Sequence, residues 1–338
     1  MSKGGLLVLA KGVAQAFRRI NVGLIQRDDA KLVFVQTTKS KPILQKRHPR
    51  SKRNGMAQEK NVGLGLHGSE KAQGPDGALT EQKVEGISFL AGRWPLEPAK
   101  PTLIFLHGAA LSGGIWEGQL VALTDIANTL ALDLPGHGKS AGPGKETIED
   151  YCRSVVGFLD RLQVPRPVPC GLSMGGAIVQ HLLLSHPGRF LAGILVNTGA
   201  KLKVAPLVFE AIQKDFARFP LMICKTGLSQ KSGPEVFKRV RACVQCTPEV
   251  VLGDFLACDR FDVRQELPTI EAPVLVLSAS EDVLTPFKYA SFLAERLKHA
   301  KLTRIEGAGH LSPVEKPEVL NAAIREFIYT ACLESRVS

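Results

Sequence analysis

Residues 171–176 read Gly171-Leu172-Ser173-Met174-Gly175-Gly176, and this short stretch restricts the fold more than any other in the chain. A serine flanked in this way, G-x-S-x-G, predicts a sharp turn from a strand into a helix. Side chains at the glycine positions would strike the neighbouring strand and helix. The turn lifts the hydroxyl clear and sets it at a helix N-terminus, where amide N–H groups favour developing negative charge. Downstream, residues 175–186 (GGAIVQHLLLSH) have the apolar spacing of a buried helix that stops at Pro187. Upstream, Pro169 is a poor guest in a central strand. The strand before Gly171 is therefore expected to be short, or bonded on one side only at Pro169.

A serine hydroxyl is a poor nucleophile until a base takes its proton, and the base works best when a carboxylate orients it. In chains with this elbow the order is Ser, then Asp or Glu, then His. An apolar strand, residues 273–278, ends in Ser280-Glu281-Asp282-Val283-Leu284-Thr285-Pro286. A helix over about residues 287–297 and a strand over 301–305 follow, then Gly307-Ala308-Gly309-His310. Asp282 is the candidate acid, with Glu281 beside it as its rival, and His310 is the candidate base. Alone, Asp282 also fits a carboxylate at the N-terminus of the following helix, and His310 fits a surface loop. Three residue types in the right order, each at a strand end, favour the catalytic reading.

An oxyanion needs two backbone N–H donors. Met174, directly after the nucleophile, is one candidate. Ala109, in the loop His107-Gly108-Ala109-Ala110 after a strand over 102–106, is the other. His107 reads better as a brace for that loop than as a base. Asp133 and His137, in a glycine turn at 133–140, read as fixing loops. No phosphate-loop spacing is present among these glycines.

These residues resemble the α/β-hydrolase superfamily in its single-domain, esterase-like branch. The resemblance rests on HGAA at 107–110, DLPGHGKS at 133–140, GLSMGG at 171–176, SEDVLTP at 280–286 and GAGHLSP at 307–313. It runs from about Val84 to the C-terminus. It implies an α/β-hydrolase fold: an eight-stranded, mostly parallel sheet flanked by helices, with a helical cap inserted after the sixth strand. It also implies hydrolysis of a small-molecule ester through an acyl-enzyme, with no cofactor and no metal. Serine at the elbow argues against the dehalogenase and epoxide-hydrolase branches. Carboxylesterases, enol-lactonases, carbon–carbon bond hydrolases and cofactor-free haloperoxidases share these motifs. A non-catalytic ligand-binding protein on the same fold is the remoter alternative.

Strands alternate with helical patterns from residue 84 onward, at 84–89, 102–106, 129–133, before Gly171, at 191–196, 274–278 and 302–305. Residues 83–338 therefore read as one α/β domain. Residues 199–267 are too long for a simple loop and read as a helical cap, with Leu207, Val208, Phe209, Ile212, Phe219 and Met222 among its apolar residues. Asp254, Asp259 and Asp262 cluster there, and Arg260 and Arg264 nearby favour ion pairs over a metal site.

Charge is uneven. Residues 1–60 hold 14 Lys+Arg against 3 Asp+Glu, which accounts for the whole formal excess of +11. Residues 1–82 read as a basic extension whose composition predicts disorder. Leu6, Leu9, Val13, Phe17, Ile20 and Leu24 line one helical face in a stretch without acids, as in a mitochondrial transit peptide, though Ser is scarce. A solvated tail is the plainer alternative, as is an upstream extension with Met56 as the working start. The basic cluster lacks the interleaved aromatics or module of a nucleic-acid binder. Seven Cys, an odd number, without a secretory signal point to free thiols in a reducing compartment. The cytoplasm is expected, or mitochondria if the segment is a transit peptide. Cys243-Val244-Gln245-Cys246 lacks the partners of a zinc site and reads as buried cap cysteines. No apolar run approaches the ~20 residues of a membrane span.

Overall fold

The computed structural model describes residues 79–334. The expectations for residues 1–78 of the basic extension, its apolar helical face and the Met56 start lie outside the described residues, whereas Thr80–Gln82, read as the end of that extension, pair with β2 residues and belong to the sheet.

The chain opens with a hairpin. Strand β1 (Thr80–Val84) pairs antiparallel with β2 (Ile87–Ala91). This corrects the single strand expected at 84–89. Glu85 and Gly86 have φ of 46° and 87°, so the backbone reverses between Val84 and Ile87. Positive φ at both central residues is the two-residue turn that matches strand twist, and Glu-Gly signals it less clearly than Asn-Gly.

Six more strands complete the sheet: β3 (Thr102–Leu106), β4 (Asn128–Leu132), β5 (Val168–Leu172), β6 (Gly193–Val196), β7 (Val274–Ala279) and β8 (Ala300–Ile305). The order is β1-β2-β4-β3-β5-β6-β7-β8, parallel from β4 to β8, with β2 antiparallel to both its neighbours. Strands β3 to β7 are buried along their length, which is why they read as continuous apolar runs. Pro169 has a register partner in Ile104 of β3, whereas pairing with β6 begins at Cys170. The missing N–H of proline is thus accommodated on one side of the strand.

Side chains alternate between two apolar layers. Ile104, Leu106, Leu130 and Leu132 face α2 (Ile148–Leu162), α3 (Met174–Ser185) and α8 (Lys288–Arg296). Leu103, Phe105 and Ala131 face α1 (Glu117–Ala122) and α9 (Pro317–Glu334). The architecture is the α/β-hydrolase fold.

Between β6 and β7 the chain leaves the sheet and forms α4 (Pro206–Lys214), α5 (Phe219–Gly227), α6 (Pro234–Ala242) and α7 (Pro248–Arg260). Each carries proline in its first turn, where the missing N–H has no intrahelical acceptor to lose. Within this insert Ile212, Phe219 and Met222 are buried as packing, while Leu207, Val208 and Phe209 remain half-buried. Among the described residues, no helix is long and apolar enough to cross a membrane.

Candidate active site

The sheet gathers the candidate residues at the carboxyl ends of its parallel strands, where open α/β sheets bind ligands. Ser173 follows β5, Asp282 follows β7 and His310 follows β8. Ala109 lies in the loop after β3.

Ser173 has φ 54° and ψ −113°, outside the regions an L-residue adopts at rest. Two close approaches hold it there. A Cβ on Gly171 would sit 2.1 Å from Gly175 O, and one on Gly175 would sit 2.2 Å from Leu106 O. Only glycine lets helix α3 come this near to β3 and β5. Ser173 N–H donates to Val196 O at 3.0 Å, and its carbonyl accepts from Thr198 Oγ1 at 2.7 Å. Both backbone groups are thus tied to the end of β6. The side chain is half-buried and, among the described residues, its hydroxyl makes no hydrogen bond to His310. In ligand-free sites this bond is often long and tightens when substrate arrives.

Asp282 lies against His310, with His310 Nδ1 donating to Asp282 Oδ2 at 2.8 Å. The carboxylate also accepts Leu284 N–H at 2.8 Å, Thr285 N–H at 3.0 Å and Thr285 Oγ1 at 2.7 Å. These bonds close a turn. They do not cap α8, which begins at Lys288. Burial pushes the Asp282 pKa up, but the His310 charge and the bonds from His310 and Thr285 outweigh it. The group is held below the usual carboxylate range. Glu281 faces the other way. It accepts Ser229 Oγ at 2.6 Å and Lys231 Nζ at 2.9 Å, both on the insert. The Ser229 bond, then the lysine, hold its pKa below the ordinary value.

The His310 loop is itself fastened, by residues no motif pointed to. Asn197, at the end of β6 with φ 45°, donates from Nδ2 to His310 O at 2.8 Å and to Ser312 Oγ at 2.9 Å. Its Oδ1 accepts Ala279 N–H at 2.8 Å. One buried amide therefore links the ends of β6, β7 and the histidine loop. Glu315 accepts Gly309 N–H at 3.0 Å and Ser229 N–H at 2.8 Å, joining that loop to the insert. The only sequence signal for Asn197 is residue type, since Asn tolerates left-handed backbone better than most. Thr285 falls within the 280–286 motif, where its residue type alone signals no task.

Met174 N–H opens α3, in the turn where amides have no intrahelical acceptor. A Cβ on Gly108 would lie 3.4 Å from that of Ser173, so the loop carrying Ala109 abuts the elbow. His107 is fully buried in this loop. Its Nδ1 donates to Gly108 O at 2.8 Å and its Nε2 accepts Leu134 N–H at 3.0 Å. Burial, then the nearby His137, depress its pKa far below the ordinary value, so the ring is a neutral brace. Asp133 accepts Gly113 N–H at 2.8 Å and Lys139 N–H at 2.9 Å and fixes the glycine turn.

Asp254 departs from the expected ion pairing. Asp262 pairs with Arg264 at 2.8 Å and with Lys201 at 2.7 Å, and Asp259 pairs with Lys203 at 2.7 Å. Asp254 instead points inward from α7 and is fully buried. It accepts His137 Nε2 at 2.8 Å, Tyr151 Oη at 2.5 Å and Ala110 N–H at 2.8 Å. His137 Nδ1 meets Pro135 O at 3.1 Å, so both ring nitrogens face acceptors. Burial opposes the imidazolium, but the Asp254 charge and bond outweigh it and raise the pKa. Cys243 and Cys246 are free thiols at the connection between α6 and α7, each pushed up to about 12 chiefly by burial. Among the described residues, no group of three His, Cys, Asp or Glu side chains is arranged to hold a metal ion.

Residues 103–323 match the model of the alpha/beta hydrolase family. The chain is 30% identical over 234 residues to 3-oxoadipate enol-lactonase 2 of Acinetobacter baylyi, covering 67% of this chain and 87% of that protein. It is 27% identical to a pimeloyl-[acyl-carrier protein] methyl ester esterase of Nitrosomonas europaea, covering 64% and 92%. A crystal structure of a hydrolase from Pseudomonas aeruginosa superposes with a TM-score of 0.66 at 30% identity, over 75% of this chain and 98% of that one.

Proposed function

The chain belongs to the alpha/beta hydrolase family, and from that premise we propose that it is a serine hydrolase cleaving carboxylic esters through an acyl-enzyme. One observation carries this reading: the 2.8 Å bond from His310 Nδ1 to the buried Asp282, at strand ends shared with the Ser173 elbow. A ring that donates through Nδ1 presents a basic Nε2, which is the tautomer a serine nucleophile requires.

Each residue then has one task. His310 Nε2 takes the Ser173 proton as Oγ attacks the ester carbonyl. Met174 and Ala109 N–H groups hold the negative oxygen of the tetrahedral intermediate. Asp282 keeps the imidazole oriented and offsets its transient positive charge. The intermediate collapses, the C–O bond breaks, and His310 returns the proton to the departing alkoxide. Water repeats the sequence on the acyl-serine and releases the acid.

A cyclic ester fits the same steps, with the leaving alkoxide still tethered to the acyl group. The 30% identity to a protein named an enol-lactonase favours including that substrate class. The test is a panel of p-nitrophenyl esters of graded acyl length and of enol-lactones, run on the wild type and on Ser173→Ala. The wild type is expected to hydrolyse members of one set or both, and the variant to lose about 10⁴–10⁶ in kcat. A variant that kept more than about a tenth of the activity would remove Ser173 from the mechanism, because a missing triad nucleophile costs far more than that.

A further inference from the structure

The two peptide groups on either side of Ala110 are held from outside the sheet. Ala110 N–H donates to Asp254 Oδ2 at 2.8 Å, and Ala110 O accepts Cys246 Sγ at 3.5 Å. Both partners belong to the insert, at α7 and the connection before it. The same connection takes Gly138 N–H onto Gln245 O at 2.8 Å. Ala110 is buried with φ 64°, a left-handed conformation that alanine does not adopt without an external hold. Asp254 is well placed to supply that hold. It is fully buried, and Tyr151 and His137 fix its two oxygens, so the carboxylate cannot turn away. A hydrogen bond to a carboxylate oxygen is of the same order as the strain of one left-handed residue. The held Ala109–Ala110 peptide adjoins the Gly108–Ala109 peptide, which carries the Ala109 N–H.

We propose that Asp254 is a positioning residue, through which the insert sets the direction of the Ala109 N–H in the oxyanion hole. The proposal rests on the serine-hydrolase reading given above. It assigns the insert a part in catalysis separate from covering substrate. A carboxylate that merely filled space would affect stability alone. One that aims an oxyanion donor affects the transition state, and so kcat more than KM.

The experiment compares Asp254→Asn, Tyr151→Phe and Phe158→Leu in the full chain. Phe158 lies on the same helix as Tyr151 but in the apolar layer against Phe89, and serves as a destabilised control. Active sites are counted by complete labelling with a fluorophosphonate, kcat and KM are measured on a p-nitrophenyl ester, and Tm is recorded. Removing an oxyanion donor outright costs about 10²–10³ in kcat, so a misaimed one in Asp254→Asn is expected to cost at least about 30-fold per labelled site. Tyr151→Phe, which frees one carboxylate oxygen, is expected to cost about 3- to 10-fold, with KM within about threefold and Phe158→Leu at the wild-type kcat. If Asp254→Asn and Tyr151→Phe lower Tm yet keep kcat within about twofold, the role is structural and the proposal is overturned. Should Asp254→Asn fail to fold, the Tyr151→Phe result decides alone. A wild type that neither labels nor hydrolyses esters overturns the serine-hydrolase reading itself, and the proposal with it.

Discussion

Asp282 and Glu281 are sequence neighbours in opposite surroundings. Asp282 is buried under His310 and Thr285, while Glu281 holds Ser229 and Lys231 of the insert. Asp282→Asn would place an amide against Nδ1 and upset the tautomer, an effect of roughly 10⁴ in kcat. Glu281→Gln is expected to stay within about threefold, since its bonds reach the insert and an exposed pair contributes little. Measuring kcat for both variants on one ester separates them, and a reversed order would make Glu281 the acid. The sequence puts Asp282 forward as the partner of the histidine but leaves Glu281 as its rival. Strand alternation sends neighbours to opposite sides, but only the closed turn from Asp282 to Thr285 decides which side faces β8. Asn197 was hidden for a related reason. Its three bonds join segments 82 to 115 residues apart.

Elements carry two further predictions. Helix α3 can start at Met174 only because Gly175 lies against Leu106 O. Gly175→Ala would force that carbonyl 2.2 Å from the new methyl, so β3 and the elbow must separate. A loss of about 2–4 kcal/mol in urea unfolding is expected, at the upper end for overpacking. A loss below about 0.5 kcal/mol would mean the two elements are not in contact. The loops ending β3 and β4 carry His107 and His137, whose ring centroids are 4.8 Å apart and whose pKa values move in opposite directions from 6.5. Below that value the unfolded chain takes up a proton that folded His107 refuses, so stability falls as pH falls. Folded His137 keeps its proton above that value, so its contribution is full below about 6.5 and is lost as pH rises through the folded pKa. The Tm advantage of wild type over His107→Asn is expected to shrink on acidification, and that over His137→Gln to shrink as pH rises. Advantages constant between about pH 5.5 and about pH 7.5 would contradict this assignment. These elements differed in how clearly the sequence announced them. Buried parallel strands and α3 were plain in apolar runs and spacing. The hairpin was missed because Glu-Gly is a weak turn signal. Asp254 was misread because proximity along α7 suggested Arg260, whereas burial under α2 and the β4 loop decides its partners.

At the scale of the whole molecule, residues read from five separate motifs come to one end of an eight-stranded sheet. Three non-glycine residues with positive φ stand there together, Ala110 after β3, Ser173 after β5 and Asn197 after β6. Strained backbone of this kind persists only where the surrounding structure holds it, as the bonds to Asp254, Val196 and Ala279 do here. The motifs were legible because nucleophile, base and acid demand particular residue types at strand ends. The insert was legible only as a length of chain, because its contacts with the Ala109–Ala110 loop and the His310 loop are set in three dimensions. In the proposed mechanism Ser173 is the nucleophile of one catalytic unit with His310 and Asp282. The most direct test is to treat the full chain with a fluorophosphonate and locate the adduct by peptide mass spectrometry while following ester hydrolysis. One adduct is expected, on the peptide carrying Ser173, formed in step with loss of activity and absent from His310→Ala. Hydrolysis that persists in fully labelled protein, or an adduct on another residue that tracks the loss, would contradict it.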